Sequence, residues 1–250
     1  MLLQVGWLLA LAAGMAAWTM RDTYEYREFR MAEDSTTRRR FYLRWTGQSF
    51  VLFVGASLVS LWLVDALAAP FTMPTAFEPV HIWLNPPREP SGDAMLGMMV
   101  GMAISITLVG FVQYRRVKKL LTPVLGDVEP LIPRNGREML VAVPLSLNAG
   151  FSEELFFRCA LPLLLLDVTG SLALSLAGSI VAFGLIHAYQ GVKGVAATTV
   201  MGAVLTMLYL SSGSLLRVMV LHALIDLVAL IVRPAISRWI ASRHGASQPA

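Results

Sequence analysis

Three ionisable side chains lie inside one long apolar segment of this 250-residue chain, and their spacing divides them into a pair and a single group. The segment is Met139–Leu166, and it contains Glu153, Glu154 and Arg158. An ionisable side chain at the centre of a membrane helix costs about 3 kcal/mol on insertion scales, so it suggests a function by default. Glu154 and Arg158 are four residues apart, share one helical face and can pair. Glu153 is rotated from Glu154 by roughly 100° on the helical period, so we expect it to lack that partner.

Further ionisable side chains occupy two other apolar segments in the second half of the chain. His187 ends the segment Ser171–Tyr189, while His222 and Asp226 lie four residues apart in the segment Leu215–Val232 and share one helical face. A buried polar cluster that only fixes helix packing is the plain alternative for each set. The three sets form one site only if their helices pack with these faces together.

Such a site would support hydrolysis by an activated water. A carboxylate in a low-dielectric site can act as a general base, and histidines can hold the water or donate to a developing oxyanion. No serine or cysteine lies at nucleophile spacing, and neither Gly-x-Ser-Gly nor Gly-x-Gly-Asp is present. The same side chains are suitable zinc ligands, which makes a bound zinc ion the alternative. The His-Glu-x-x-His pattern of zinc proteases is missing, so we expect no metal or other cofactor.

The composition indicates an integral membrane protein. Hydrophobic residues make up 56% of the chain, charged residues 14%, and the mean hydropathy is +0.63, whereas soluble domains carry about 25% charged residues. The net charge of +4 is explained by membrane topology, so we expect no nucleic-acid partner. The single cysteine, Cys159, excludes an internal disulfide, and its apolar surroundings favour an inert hydrophobic role.

The apolar runs predict an all-α bundle of about seven transmembrane helices, or eight if the long fourth segment is two helices. The predicted spans are Met1–Met20, Trp45–Ala69, Met95–Val112, Met139–Leu166, Ser171–Tyr189, Val195–Leu210 and Leu215–Val232. The proline-rich stretch Pro70–Asp93 predicts a surface loop without regular helix, with His81 exposed to solvent. These segments suggest four regions: an N-terminal three-helix region (1–114), a cytoplasmic interfacial linker (115–138), a catalytic core (139–232) and a cytoplasmic tail (233–250).

The basic residues orient the predicted helices. Of the 20 Lys and Arg residues, all except Arg88, Arg158 and Arg217 lie in four stretches of the chain. These stretches are Arg21–Arg44, Tyr114–Glu138, Gly191–Gly194 and the C-terminal tail. Because short cytoplasmic loops are enriched in Lys and Arg, the N-terminus is predicted outside and the C-terminus in the cytoplasm.

Three motifs lie on separate apolar segments: Glu153-Glu154-x-x-x-Arg158, Phe183-x-x-x-His187 and His222-x-x-x-Asp226. Together they resemble the signature of the CPBP family. This family of intramembrane glutamate endopeptidases includes CAAX prenyl proteases, bacteriocin-processing enzymes and the eukaryotic Ras-converting enzyme. The resemblance covers roughly Met139–Val232.

The resemblance implies a role for each motif residue. Glu153 would be the general base that activates water, and His187 would help to position that water. His222, with Asp226, would stabilise the oxyanion. Supporting roles would fall to Glu154, Arg158 and Phe183. The last motif position is asparagine in the prenyl-processing enzymes. Because an ionised aspartate cannot donate to an oxyanion, Asp226 would have to be protonated or would orient His222 instead.

We therefore expect an intramembrane endopeptidase of the bacterial cytoplasmic membrane. Its partners would be membrane lipid and a peptide or membrane-protein substrate, lipidated or not. A non-catalytic membrane scaffold or bacteriocin-immunity protein with the same fold is the alternative. A small transporter or proton-coupled channel is a third hypothesis, because buried Glu and His also mark proton relays. Transporters usually carry repeated halves, whereas the ionisable residues here lie in one half of the chain.

Overall fold

The computed structural model describes residues 1–86, 128–236 and 238–239, and these residues form helices and turns without any strand. The predicted all-α architecture is therefore confirmed. The predicted third span, Met95–Val112, and most of the predicted interfacial linker lie outside the described residues.

Two long helices form the N-terminal part: α1 is Leu2–Met31 and α2 is Ser35–Leu63. Asp34, in the short turn between them, caps α2 by accepting a hydrogen bond from the Thr37 amide. The mixed-charge stretch Arg21–Arg44, predicted as a loop, is thus mainly helical. Charge ends the apolar run but not the helix, because Arg and Glu are themselves good helix formers.

The proline-rich stretch also contains a helix, contrary to the prediction. A 3₁₀ turn at Thr75–Phe77 leads into α3, Glu78–Leu84. Pro79 is tolerated because it lies in the first turn of α3, where a backbone amide needs no helical partner. His81 is half-buried rather than solvent-exposed, and its Nδ1 donates to the Leu210 carbonyl at 2.7 Å.

One continuous helical run, residues 136–169, carries the first motif, and we call it the motif helix. It consists of α4 (Gly136–Asn148), two π-helical stretches (Ala149–Glu153 and Leu155–Ala160) and α5 (Leu161–Thr169). The predicted fourth span is therefore one helix rather than two. π-Helical turns are rare and are often found at functional sites.

Three further helices complete the described bundle: α6 (Leu172–Leu185), α7 (Gly191–Ser212) and α8 (Leu215–Leu227). In the described part of the chain, four helices are long and apolar enough to cross a membrane, and α6 is a shorter apolar helix. The four are Leu2–Met31, Ser35–Leu63, Ala188–Ser212 and Leu215–Ile236. The chain is thus an integral membrane protein. One of the seven predicted spans lies outside the described residues, and the predicted orientation stays a prediction.

Close helix contacts bring the motifs together. α2 packs along the motif helix, and α8 crosses it at the first π-helical stretch. A Cβ atom on Gly150 would lie 2.6 Å from both the Ala223 backbone nitrogen and the Met219 carbonyl oxygen, so only glycine permits this crossing. α6 packs on the second π-helical stretch, where the Ser179 hydroxyl donates to the Phe157 carbonyl at 2.5 Å.

Candidate active site

The three motifs meet at one cavity of about 390 Å³, which we call the front cavity. Glu153 reaches it from the motif helix, His187 from the turn after α6, and His222 and Asp226 from α8. Phe183 also lines it. The structure therefore brings together all four side chains for which the sequence predicts a catalytic role. Much of the remaining wall is apolar, including Leu131, Ile132, Met201, Ile225 and Leu230.

The predicted Glu154–Arg158 pair is present behind the front cavity. Arg158 Nε lies 3.1 Å from Glu154 Oε2, and the two side chains are 1% and 0% exposed. The contact is close but poorly angled, because no guanidinium nitrogen of Arg158 makes a hydrogen bond to any residue that the structure describes. The guanidinium carbon instead lies 4.2 Å from the centre of the Phe183 ring, a cation–π contact. Phe183 and Glu154 together therefore hold the Arg158 charge.

Glu154 also contacts a second group, which the sequence does not predict. His222 Nδ1 lies 2.6 Å from Glu154 Oε1 and donates to it. His222 Nε2 remains, 3.9 Å from Asp226 Oδ2. That distance is longer than a hydrogen bond but short enough for the two charges to interact. Glu154 thus fixes the orientation of His222, while Asp226 lies beside the ring nitrogen left available for chemistry.

His187 has a defined tautomer. Its Nδ1 lies 2.8 Å from the Phe183 carbonyl oxygen, and because a carbonyl can only accept, Nδ1 must carry the proton. Nε2 of the neutral ring is then an acceptor. The ring packs between Phe183 and Tyr189, with centroid distances of 5.0 and 5.9 Å. His187 follows α6 rather than lying within its last turn, which corrects its predicted place inside the fifth span.

Glu153 has no cationic partner within 4 Å among the described residues. Its Oε2 is screened from solvent and has no hydrogen-bonding partner among the residues that the structure describes. The predicted angle of 100° from Glu154 assumes α-helical geometry, whereas Glu153 ends a π-helical stretch. The π geometry changes the angle, but the two adjacent carboxylates still point to different surroundings.

The described residues contain no group of three His, Cys, Asp or Glu side chains placed to hold a metal ion. Glu154 engages Nδ1 of His222, and a backbone carbonyl engages Nδ1 of His187. Each ring therefore has one nitrogen left. The expectation that the protein needs no tightly bound zinc stays a prediction.

The N-terminal helices also contribute to the site, which the sequence motifs do not predict. A second, smaller cavity of about 90 Å³ is lined by Trp18 and Asp22 of α1 as well as by Glu153 and His187. A carboxylate placed directly after the first apolar run was the available signal. No spacing within the chain could connect it with a glutamate more than a hundred residues away.

Comparison with known proteins identifies the part of the chain that carries the motifs. Residues 135–228 match the family model described as type II CAAX prenyl endopeptidase, Rce1-like. No curated protein and no solved structure matches the chain. The matched residues contain all three motifs and agree closely with the predicted extent, Met139–Val232. Residues 135–228 are therefore similar to the Rce1-like, type II CAAX prenyl endopeptidase family, which supports the CAAX-protease resemblance of the three motifs.

Proposed function

We propose that this protein hydrolyses a peptide bond within the membrane by means of a water molecule that Glu153 activates. One observation carries the proposal: two adjacent carboxylates have opposite surroundings. Glu154 is held by Arg158 and His222, whereas Glu153 lines the front cavity with an oxygen that has no partner among the described residues. An unpaired carboxylate in a low-dielectric cavity is suited to take a proton from water.

The remaining side chains support the addition of that water to a peptide carbonyl. Glu153 takes one proton as the water oxygen bonds to the carbonyl carbon, and His187 Nε2 accepts a hydrogen bond from the same water. The carbonyl oxygen becomes an oxyanion, which protonated His222 stabilises through Nε2–H. Glu154 stabilises the imidazolium from the other side of the ring. Glu153 then gives its proton to the amide nitrogen as the carbon–nitrogen bond breaks.

Asp226 has a different role here from that of an oxyanion donor. Its Oδ2 lies 3.9 Å from His222 Nε2, so an ionised Asp226 favours the protonated imidazole that the mechanism requires. The role is electrostatic, and it needs no proton on the aspartate. Asp226 is thus suited to the second of the two predicted roles, which is to act through His222.

The substrate class follows from the front cavity. Its largely apolar wall suits an extended peptide segment with apolar side chains or with an attached lipid. We therefore propose a peptide or membrane protein as substrate. The family match concerns prenyl endopeptidases, which makes a prenylated peptide the first class to test.

The test is cleavage by purified protein reconstituted in liposomes. Quenched fluorescent peptides, matched in sequence and carrying or lacking a farnesylated cysteine, are given to the wild type, Glu153→Gln and Glu78→Gln. Glu78 is an exposed glutamate at the start of α3 and serves as the matched control. We expect cleavage by the wild type and Glu78→Gln, and a loss of about 10²–10⁴-fold in Glu153→Gln. Full turnover by Glu153→Gln would exclude the mechanism. A wild type that cleaves no peptide or membrane protein would favour the scaffold or immunity alternative.

A further inference from the structure

A second cavity lies behind the catalytic glutamate, and we call it the rear chamber. Its volume is about 90 Å³. Leu145, Glu153, His187 and Tyr189 line both the rear chamber and the front cavity, so these side chains lie between the two. The far side of the rear chamber comes from α1 and α2, whereas that of the front cavity comes mainly from α7 and α8. The α1 and α2 residues are Trp18, Asp22, Trp45, Ser49 and Phe53.

Two polar atoms of the rear-chamber residues lack partners. Trp45 Nε1 and Glu153 Oε2 are both screened from solvent, and neither makes a hydrogen bond within the described part of the chain. Trp45 is only 8% exposed. Leaving a buried donor or acceptor unpaired costs about 1–3 kcal/mol, and buried water is the usual partner in a polar cavity that has room for it. The space is sufficient for more than one molecule, since water takes up about 30 Å³ in the liquid.

The α1 side of the rear chamber lies next to a charged network. Asp22, half-buried, lines the chamber from α1. The next turn of α1 is charged, because Glu25 bonds with both Arg21 and Arg44 at 2.8 Å. A charged network of this kind belongs at the polar interface rather than in hydrocarbon. Asp22 therefore stands between the interface and the shared side chains of Glu153 and His187.

We propose that the rear chamber is a water reservoir that supplies the hydrolytic water to Glu153, with Asp22 as its outer polar wall. The proposal rests on the proposed function. A peptide that fills the apolar front cavity excludes water from that side, yet each cleavage consumes one water molecule. Water held between Trp45 Nε1, Glu153 Oε2 and Asp22 can replace it without passing the substrate. Asp22 is a positioning residue, because it acts on water rather than on the peptide.

The first test measures water directly and needs no activity. Synchrotron X-ray footprinting oxidises side chains beside bound water as well as exposed ones. We expect Trp45 to be oxidised several times faster than Tyr42, which is 0% exposed and lines neither cavity. The rate at Trp45 should fall in Asp22→Leu. Protection of Trp45 equal to that of Tyr42 would show a dry chamber and overturn the proposal.

The second test separates water supply from substrate binding. Asp22→Leu should lower kcat by roughly tenfold with KM unchanged, whereas Asp22→Asn, which still hydrogen-bonds water, should keep most of the activity. Glu28→Leu, an exposed carboxylate on the same helix, is the matched control. Unchanged kcat in Asp22→Leu, or a change in KM alone, would contradict the reservoir. Should Asp22→Leu fail to fold, the wild-type footprint of Trp45 still decides the question.

The two tests also distinguish this proposal from the proposed function. If Glu153→Gln abolishes cleavage but Asp22→Leu leaves it unchanged, the protein has the proposed mechanism but no reservoir. If the wild type cleaves nothing but its Trp45 is oxidised rapidly during footprinting, the chamber is hydrated and the proposed chemistry is absent.

Discussion

Two buried arginine–glutamate pairs involve the motif helix, one at its start and one in its middle. They differ in how many hydrogen bonds their polar atoms make. Arg38 and Glu138 are 3.0 Å apart with side chains 0% and 1% exposed. Arg158 and Glu154 are 3.1 Å apart and equally buried. Each arginine also lies 4.2 Å from a phenylalanine ring. By residue type, distance and burial the two pairs are alike.

Their hydrogen bonds are different. Arg38 donates to Glu138 through Nε, and its Nη2 donates to the Tyr42 hydroxyl and to two carbonyls, of Pro130 and Ile132. Glu138 also accepts from the Arg134 amide. Arg158, by contrast, makes no hydrogen bond of good geometry with any described residue.

The difference separates a structural pair from one that serves a site. The Arg38–Glu138 pair joins α2 to the start of the motif helix, and it meets the front cavity only through the backbone of Ile132, not through a motif side chain. The Arg158–Glu154 pair continues to His222 through Glu154, and so reaches the front cavity. A buried ion pair alone is therefore weak evidence of function. Incomplete hydrogen bonding, combined with a link to a cavity, is the more informative sign.

The largest effect is expected from Glu154→Gln, which should cost both stability and activity. The substitution leaves Arg158 without its carboxylate and removes the charged acceptor of His222. Removing one partner of a buried pair costs about 3–5 kcal/mol. Glu153→Gln, in contrast, should leave stability equal or raised, because its charge has no partner to lose. The measurements are the thermal midpoint in detergent and turnover per folded molecule. An unfolded Glu153→Gln with a stable, inactive Glu154→Gln would reverse the two roles.

Arg38→Ala should destabilise the protein by a similar amount, about 3–5 kcal/mol, without changing the chemistry. It strands Glu138, which lines neither cavity, so turnover per folded molecule should stay within about twofold of wild type. Arg158→Ala is the matched comparison, and it should lower both quantities. The comparison between the two pairs fails if Arg38→Ala reduces turnover per folded molecule as strongly as Arg158→Ala does.

Gly150→Ala tests the helix crossing that places His222 against Glu154. The added Cβ would lie 2.6 Å from the α8 backbone, so α8 must move away. Overpacking of this kind costs about 1–3 kcal/mol, and displacement of His222 should lower turnover by roughly 10²-fold. Gly55→Ala is the control, because a Cβ on Gly55 in α2 meets nothing within 4 Å. That control should be neutral or slightly stabilising.

The smallest effect concerns the titration of Glu138, which precedes the apolar segment. Burial acts to raise the pKa of Glu138, but hydrogen bonds from the Arg134 amide and the Arg38 side chain outweigh it, so its pKa lies below the ordinary value. A lowered pKa stabilises the fold above the unfolded-state value, about 4.3, and this contribution is lost as the pH falls through the folded-state pKa. The difference in thermal midpoint between wild type and Glu138→Gln should therefore shrink between pH 6 and pH 3. A constant difference over this range would contradict the assignment.

The sequence predicts the parts of the site that depend on short spacing. Residues four apart on one helix are neighbours by geometry alone, which is why the Glu154–Arg158 contact and the isolation of Glu153 could be predicted. The three motifs also indicate which segments meet, because Glu and His are rare in apolar helices.

Contacts between distant segments could not be predicted in the same way. The Glu154–His222 hydrogen bond and the Arg38–Glu138 pair each join different helices, and their partners follow only from the packing. The π-helical stretches are also invisible, because hydrophobic periodicity does not distinguish a short π turn from an α turn. α1 ends after its predicted span, and α2 begins before its predicted span and ends at Leu63 rather than Ala69. Hydropathy marks where a helix is apolar, not where its hydrogen bonds begin or end.

The sparse packing of α1 links the site to the thickness of the host membrane. Only 6% of the residues in its most apolar stretch are buried. The helices that the structure describes therefore do little to fix the depth of α1 in the membrane. The apolar residues 2–20 extend roughly 28 Å at 1.5 Å per residue, against a hydrocarbon core of about 30 Å. A helix with no spare length must shift, or thin the bilayer around it, when the acyl chains lengthen. Asp22 lies at the end of that run, so we expect lipid acyl-chain length to alter turnover although it changes no atom of the enzyme.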